Sequence, residues 1–485
     1  MTIDRIRFVL FLNGLFLWPL ATMMLVPAIV DLADYNYGDA RNFAISAVIT
    51  GAVGALLVLA FREKHFDVTD RRTGFLITVS AWLLAVFFGC IPLLGSSQHI
   101  GFTDAMFESV SALTTTGSTI LVGLDNMPRG LLLWRSLLQW LGGVGIIVMA
   151  LSFLPALRVG GMQLFQSESS DISGKPFPKI SQMVRAILFV YLSLTLACVI
   201  AMMFAGMPAF DAINHAMATI ATGGLSTKDA SIGYYRSVPI EVVTEIFMVA
   251  GALPLGSYAV FLVNRGKKPF VDDQVKAFLI VLATAIGLCT IWNISQGMIP
   301  REALRVSAFN VTSIITDTGF ATSDFSTWGS FAVGLFFMLY LIGGCAGSTA
   351  GSIKIFRWQI LFAGVIRGLK SMLYPNSVMR VRYQGSAVDE AVVSNVRNFF
   401  FVYIVTLFVL SMLVMATGVD FLSATSAVAQ GMANAGPGLG PLVGPSTNFS
   451  AIPELAKWWI MAAMILGRLE LMTFYVMLIP AFWRR

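Results

Sequence analysis

Four short stretches place oxygen-bearing residues around a glycine: Thr115-Thr116-Gly117, Ala221-Thr222-Gly223, Asp317-Thr318-Gly319 and Asn434-Ala435-Gly436. A dehydrated cation needs oxygen ligands on several sides, and a ring of backbone carbonyls can replace its hydration shell. Turning successive carbonyls towards one axis requires unusual backbone angles, which glycine adopts without a β-carbon penalty. A neighbouring threonine adds a hydroxyl oxygen. One such stretch alone would read as the C-cap of a short helix. Four, each behind a short apolar segment and ahead of a long one, read as four contributors to a single cation site.

The segments that must position them are set by a lipid solvent. Of 485 residues, 57% are hydrophobic and only 12% charged, about half the charge of a soluble domain. Crossings are expected at about 6–30, 42–61, 73–96, 131–155, 184–206, 238–263, 274–294, 329–363, 397–417 and 456–483, each reaching the ~20 apolar residues a spanning helix needs, with the eighth long and interrupted. The net charge of +6 comes from Lys and Arg in alternate loops, among them Arg62, Lys64, Arg71, Arg158, Lys175, Arg265, Lys267, Arg367 and Arg382. That is the positive-inside pattern, not a nucleic-acid groove, and it puts both termini in the cytoplasm. The long first apolar stretch is expected to be a retained anchor.

From the third crossing onward, each outer connection begins with an apolar segment too short to span: FTDAMFESVSALTTTG, AFDAINHAMATIATGG, LRVSAFNVTSIITDTG and FLSATSAVAQGMANAG. Irregular backbone at membrane depth is tolerated only when buried in protein or lining an aqueous cavity, so each reads as a re-entrant half-helix. Their C-terminal dipole ends would favour a cation. The reading is an all-α polytopic membrane protein with four tandem helix–pore-loop–helix repeats around one pseudo-four-fold pore. The repeats are 67–165, 166–268, 269–375 and 376–485, preceded by two extra helices in 1–66.

Two features inside crossings stand apart. The eighth contains LIGGCAGSTAGSIK, with Gly343, Gly344, Gly347 and Gly351 beside Ser348 and Thr349. It is too long for one simple crossing and too rich in glycine for a continuous helix, although close helix packing through small residues is a competing reading. Lys354 at its cytoplasmic side is placed to snorkel. The tenth carries Arg468 and Glu470 near its middle, where charges are rare and face a bundle interior or cavity. Asp317 is expected to hydrogen-bond behind the ring rather than bind the ion. The broken stretches LQWLGGVGIIV and VAGALPLGSYAV are assigned packing roles.

Cys90, Cys198, Cys289 and Cys345 lie far apart in apolar stretches and read as buried small hydrophobes, with no metal spacing. His65 falls in a basic loop; His99 and His215 read as surface or packing residues. No clustered nucleophile, base or metal ligand supports an enzyme, and no phosphate-binding loop is present.

The segments TTTGST, ATGGLST, TDTGFAT and NAGPGLG resemble the four selectivity-filter segments of the Trk/Ktr/HKT potassium transporter superfamily, and the resemblance extends over essentially the whole chain. It implies potassium uptake across the bacterial inner membrane, with potassium as substrate and no cofactor in this chain. It implies that glycine at Gly117, Gly223, Gly319 and Gly436 favours potassium, and that the glycine-rich loop in the eighth crossing blocks the pore below the filter. It also implies that Arg468 is an electrostatic barrier in the pore. It implies a homodimer and a cytoplasmic TrkA-type ring with nucleotide-binding domains. The fourth segment departs from the pattern: Ala435 replaces threonine and Pro437 follows the glycine. A symporter coupling potassium to protons or sodium is the alternative left open.

Overall fold

Long apolar helices alternate with short buried ones along the chain. The computed structural model describes residues 3–62, 71–157, 180–263, 272–377, 379–469 and 471–484. Lys64, His65, Arg158, Lys175, Lys179, Arg265, Lys267, Lys268 and Glu470 therefore lie outside the described residues.

Two helices, α1 (Ile3–Ala33) and α2 (Tyr37–Phe61), form a hairpin. They cross closely at paired glycines: a β-carbon on Gly14 would lie 2.8 Å from the Gly54 carbonyl oxygen, and one on Gly54 would lie 3.0 Å from that of Gly14. Small residues let membrane helices approach in this way.

A unit of long helix, short helix, irregular segment, single 3-10 turn and long helix then occurs four times among the described residues. The first is α3 (Arg71–Leu94), α4 (Phe102–Leu113) and α5 (Arg129–Leu157). The second is α6 (Ile180–Phe204), α7 (Ala209–Ile220) and the bent pair α8 (Val238–Ala252) and α9 (Leu255–Val263). The third is α10 (Asp273–Ser295), α11 (Pro300–Ile315), α12 (Ser330–Leu339) and α13 (Ile355–Leu373). The fourth is α14 (Glu390–Met415), α15 (Phe421–Ala433) and the bent pair α16 (Glu454–Arg468) and α17 (Leu471–Leu478), closed by α18 (Pro480–Trp483).

All ten expected crossings coincide with helix. Six are single helices long and apolar enough to cross a bilayer, and two are pairs bent by 88° (α8–α9) and 108° (α16–α17). The other two are α5 and the interrupted α12–α13 segment. Apolar side chains such as Leu59, Ile291, Phe401 and Met412 point outward on the long helices, as expected where the surroundings are lipid. The short helices α4, α7, α11 and α15 are buried over most of their length. Their starts are set locally: Pro300 opens α11, and Asp420 caps α15 by accepting from the Ser423 N–H at 3.0 Å.

The α8–α9 break has a local cause. After α8, Pro254 lacks an N–H and the helix cannot continue. The freed groups are met by the 340–354 segment: Cys345 N–H donates to the Ala252 carbonyl at 2.9 Å, and Leu255 N–H to that of Gly347 at 3.0 Å. A small hairpin between α13 and α14 was not anticipated. It pairs Arg382 with Ala387 and Tyr383 with Ser386, joined by Gln384 and Gly385, both at positive φ, as a type I′ turn requires. At the chain's end, Arg72 on α3 donates to the Phe482 carbonyl at 3.1 Å and also to that of Arg484. The C-terminal residues thus sit beside the start of α3.

Candidate functional site: a ring at the ends of four buried helices

Each short helix ends in the same way. Thr115, Thr222, Asp317 and Asn434 all have positive φ, between 50° and 59°. Their N–H groups bond to Ala112, Thr219, Ile314 and Gly431 at 3.0–3.3 Å. The next N–H groups, of Thr116, Gly223, Thr318 and Ala435, bond to Ser111, Ala218, Ser313 and Gln430 at 2.8–3.0 Å. This is the two-bond Schellman termination, built four times with no glycine at the left-handed position. For a β-branched residue that conformation is an outlier, costing about 1–3 kcal/mol. The glycines are therefore not the C-caps; the caps come before them.

Two residues beyond each left-handed cap lies a glycine at positive φ: Gly117 (85°), Gly224 (71°), Gly319 (89°) and Gly436 (92°). This corrects the register expected for the second segment. Gly223 is equivalent to Thr116, Thr318 and Ala435, the expected Ala221 lies one step earlier as the helix C-cap, and the left-handed glycine is Gly224. With two adjacent glycines, letters alone select the first; backbone conformation selects the second.

The four glycines close on one another. A β-carbon on Gly117 would collide with the Gly223 carbonyl oxygen, and one on Gly224 with that of Thr318. One on Gly319 would lie 2.6 Å from the Ala435 carbonyl oxygen, and one on Gly436 3.2 Å from that of Thr116. Each quadrant thus abuts the same atom of the next, and the fourth returns to the first. The missing threonine at Ala435 does not break the circuit, because the contact is to backbone.

Side chains brace the ring from behind, differently in each quadrant. Glu108 on α4 and Arg135 on α5 form a buried ion pair at 2.6 Å. Glu108 also accepts from Thr119 Oγ1 at 3.0 Å and Ile120 N–H at 3.1 Å, while Arg135 donates to the Ser226 carbonyl at 3.3 Å. Gln139, one turn beyond Arg135, donates to the Gly223 carbonyl and accepts from Leu225 N–H at 3.1 Å. In the second quadrant His215 Nε2 meets Ser226 Oγ at 2.9 Å, so this histidine is a packed one. In the third, Asn310 bonds Thr322 through both its amide nitrogen, at 2.9 Å, and its oxygen, at 3.2 Å. Ser118 joins the first quadrant to the fourth through the Gly436 carbonyl at 2.8 Å. Asn434, where the fourth stretch departs from threonine, donates to Thr116 Oγ1 at 2.9 Å and to the Met464 carbonyl at 3.0 Å. Glu108, Arg135 and Gln139 escaped the sequence reading. Their signal was there: charged and amide residues inside LLLWRSLLQWL and FTDAMFESV.

The side of the ring facing the ends of the short helices is covered. Residues 340–354 leave the helix at Tyr340 and fold back, with Gly343 N–H donating to the Ile353 carbonyl at 3.0 Å. The turn reaches the ends of two short helices: Thr349 Oγ1 donates to the Ile220 carbonyl at 2.9 Å, and Ser352 N–H to that of Ala433 at 2.9 Å. Those are C-terminal carbonyls that a helix leaves without partners. Gly351 packs so closely that a β-carbon there would strike the Ala433 oxygen. This rules out a continuous, tightly packed helix for the stretch. Lys354 does not snorkel: its ammonium turns into the loop and donates to the Ala350 carbonyl.

Arg468 ends α16 at the sharp bend and is 3% exposed. Its guanidinium donates to the Thr349 carbonyl at 2.9 Å and to that of Gly142 at 3.1 Å, so it ties the turn to α5. Two glycines of the stretches given packing roles serve here, with Gly467 as a third: β-carbons on Gly142, Gly251 and Gly467 would press on the carbonyl oxygens of Leu113, Ile220 and Met432, the last turns of α4, α7 and α15. Asp317 is fully buried, and neither carboxylate oxygen accepts a well-formed hydrogen bond. The Gly351 N–H on the loop is the backbone donor that faces it. All four cysteines are buried and free, as expected.

Comparison with known proteins places this architecture. The family model for TrkH, described as a cation transport protein, matches residues 39–485. The chain is 39% identical to the Trk system potassium uptake protein TrkI of Halomonas elongata, covering 96% of this chain and 94% of that one. It is 38% identical to the Trk system potassium uptake protein TrkH of Escherichia coli K12, covering 95% and 96%. The crystal structure of the potassium transporter TrkH from Vibrio parahaemolyticus superposes with a TM-score of 0.91 over the full length of both chains, at 36% identity. By these matches the chain, with its four buried helix ends in one circuit, belongs to the TrkH family of cation transport proteins.

Proposed function

We propose that this protein carries potassium into the cell across the bacterial inner membrane, through a selectivity filter formed by residues 115–117, 222–224, 317–319 and 434–436. The repeats 67–165, 166–268, 269–375 and 376–485 supply one quadrant each, and 1–66 packs outside. The observation that carries the reading is the cyclic contact of Gly117, Gly224, Gly319 and Gly436 with the neighbouring carbonyls. Only a closed ring of backbone serves a dehydrated cation equally from all sides. Potassium as the cargo is supported by the relatives' function.

In this reading the 340–354 loop and Arg468 are the gate. The loop takes up the Ile220 and Ala433 carbonyls, which would otherwise face the ion with their helix dipoles, and Arg468 adds a fixed positive charge on the cytoplasmic side. Opening must therefore exchange these hydrogen bonds for water and ion contacts. The family resemblance supports a homodimer, cytoplasmic termini and control by a TrkA-type nucleotide-binding ring docking on the basic inner face.

The deciding experiment is a reversal-potential measurement on purified protein in bilayers, under separate potassium, sodium and proton gradients. A reversal potential following the potassium gradient alone is expected. One that follows sodium equally overturns the filter assignment, and one displaced by the proton or sodium gradient at fixed potassium assigns coupled transport.

A further inference from the structure

The inner end of the ring is not chemically uniform. The four left-handed cap residues, Thr115, Thr222, Asp317 and Asn434, occupy one level, and only the third is an acid. Its orientation follows from its neighbours. The Thr115 methyl lies 3.2 Å from a β-carbon placed on Gly142, and the Thr222 methyl 3.2 Å from one on Gly251. Asp317 Oδ2 lies 3.0 Å from one on Gly343. Asp317 thus turns a carboxylate oxygen to the Gly343 backbone, where the two threonines turn their methyls to Gly142 and Gly251.

At this level several oxygens stand without hydrogen-bond partners: Thr115 Oγ1, both oxygens of Asp317 and Asn434 Oδ1. All three residues are fully buried. A buried carboxylate without compensation is costly, and the cations acting on this one are Lys354 and Arg468. Both are tied to the loop, Lys354 through the Ala350 carbonyl and Arg468 through that of Thr349. With the loop seated, Lys354 and Arg468 repel an entering cation. When the loop withdraws it takes Lys354 with it and frees Arg468 from the Thr349 carbonyl, so the carboxylate loses the cations seated against it.

We propose that Asp317 makes the inner end of the ring a charged cation site, balanced by Lys354 and Arg468 while the loop is seated and by a dehydrated monovalent cation once it withdraws. The proposal rests on the function given above and adds to it a residue that couples ion occupancy to the gate. Removing the carboxylate weakens ion binding and also removes the acid that the two gate cations act on.

The test is potassium-dependent uptake of a rubidium tracer into proteoliposomes, with Asp317→Asn and Asp317→Thr, each alone and combined with Arg468→Ala. Asp317→Thr installs the residue two other quadrants already use and guards against misfolding. Both variants are expected to raise the half-saturating potassium concentration about tenfold. The gain in flux from Arg468→Ala is expected to shrink severalfold once the carboxylate is gone. A half-saturating concentration within twofold of the parent's in both variants overturns the proposal. So does an Arg468→Ala gain that is the same with and without Asp317. The parent's own selectivity, read in the same vesicles, separates this from failure of the filter assignment: a selective parent with unaltered variants removes only the role of Asp317.

Discussion

Arg468 reaches the Thr349 carbonyl at 2.9 Å and, with its other terminal nitrogen, the Gly142 carbonyl at 3.1 Å. One guanidinium therefore pins the glycine-rich turn of the third repeat to a helix of the first. The geometry depends on a planar fork with several donors, which lysine lacks.

Arg468→Ala should raise ion flux, because it removes both the fixed charge and two charge-assisted hydrogen bonds that hold the turn. Each such bond is worth about 1.5–3 kcal/mol, so the seated state should lose at least roughly tenfold in population. Arg468→Lys should be intermediate: the charge stays, but a point donor does not span both carbonyls. Tracer uptake into proteoliposomes measures both, and unchanged flux in the alanine variant would remove Arg468 from the gate.

The ring register makes a sharper prediction at adjacent positions. Gly224 sits at φ +71°, where a β-carbon would also strike the Thr318 carbonyl; Gly223 is not left-handed, and a β-carbon there would meet the Gln139 side chain at 2.5 Å. A side chain can shift and a carbonyl of the ring cannot. Gly224→Ala should therefore lose potassium-over-sodium discrimination, as Gly117→Ser should by collision with the Gly223 carbonyl, whereas Gly223→Ala should keep more of it. Permeability ratios from reversal potentials decide the order. If Gly223→Ala proves the more damaging, the assigned register is wrong.

How much of this was legible beforehand depends on the kind of signal. The ten crossings and four short helices follow from apolar length and Gly/Pro punctuation, which the bilayer enforces strictly. Arg468 and the glycine-rich stretch were visible because charge and glycine are out of place in a crossing. The second-quadrant register was not, because Gly223 and Gly224 are the same letter and differ only in φ. The partnerless carboxylate of Asp317 was not legible either, since it depends on Gly343, Lys354 and Arg468 arriving from distant segments. Arg135 and Gln139 carried the same out-of-place signal as Arg468 but, with their partners on α4 and in the second quadrant, gave no local hint of what they brace.

Gln139 spans two consecutive backbone groups of the second quadrant, donating to Gly223 and accepting from Leu225. Gln139→Leu keeps the volume but leaves both groups buried without partners, each costing about 1–3 kcal/mol. The expected result is a lowered melting temperature together with a reduced potassium-to-sodium ratio, while Gln139→Glu, which can accept but not donate, should spare only the Leu225 bond. Thermal unfolding in detergent and reversal potentials give the two readouts. A leucine variant with parental stability and selectivity would show that the ring does not need this brace.

The Glu108–Arg135 pair is the most buried ion pair among the described residues, with side chains 0% and 1% exposed. Breaking such a pair from one side strands a charge and costs about 3–5 kcal/mol, whereas replacing both partners by apolar groups is often nearly neutral. Here neutrality is not expected. Arg135 also holds Thr119 at 3.0 Å and the Ser226 carbonyl at 3.3 Å, and Glu108 holds Ile120 N–H at 3.1 Å, so removing both leaves ring-side groups unpaired. Glu108→Gln and Arg135→Met should each destabilise strongly, and the double variant should recover only part of the loss. A thermodynamic cycle of melting temperatures tests this. Full recovery in the double variant would mean that the pair satisfies only itself, and that the irregular segments after Gly117 and Gly224 are held by other contacts.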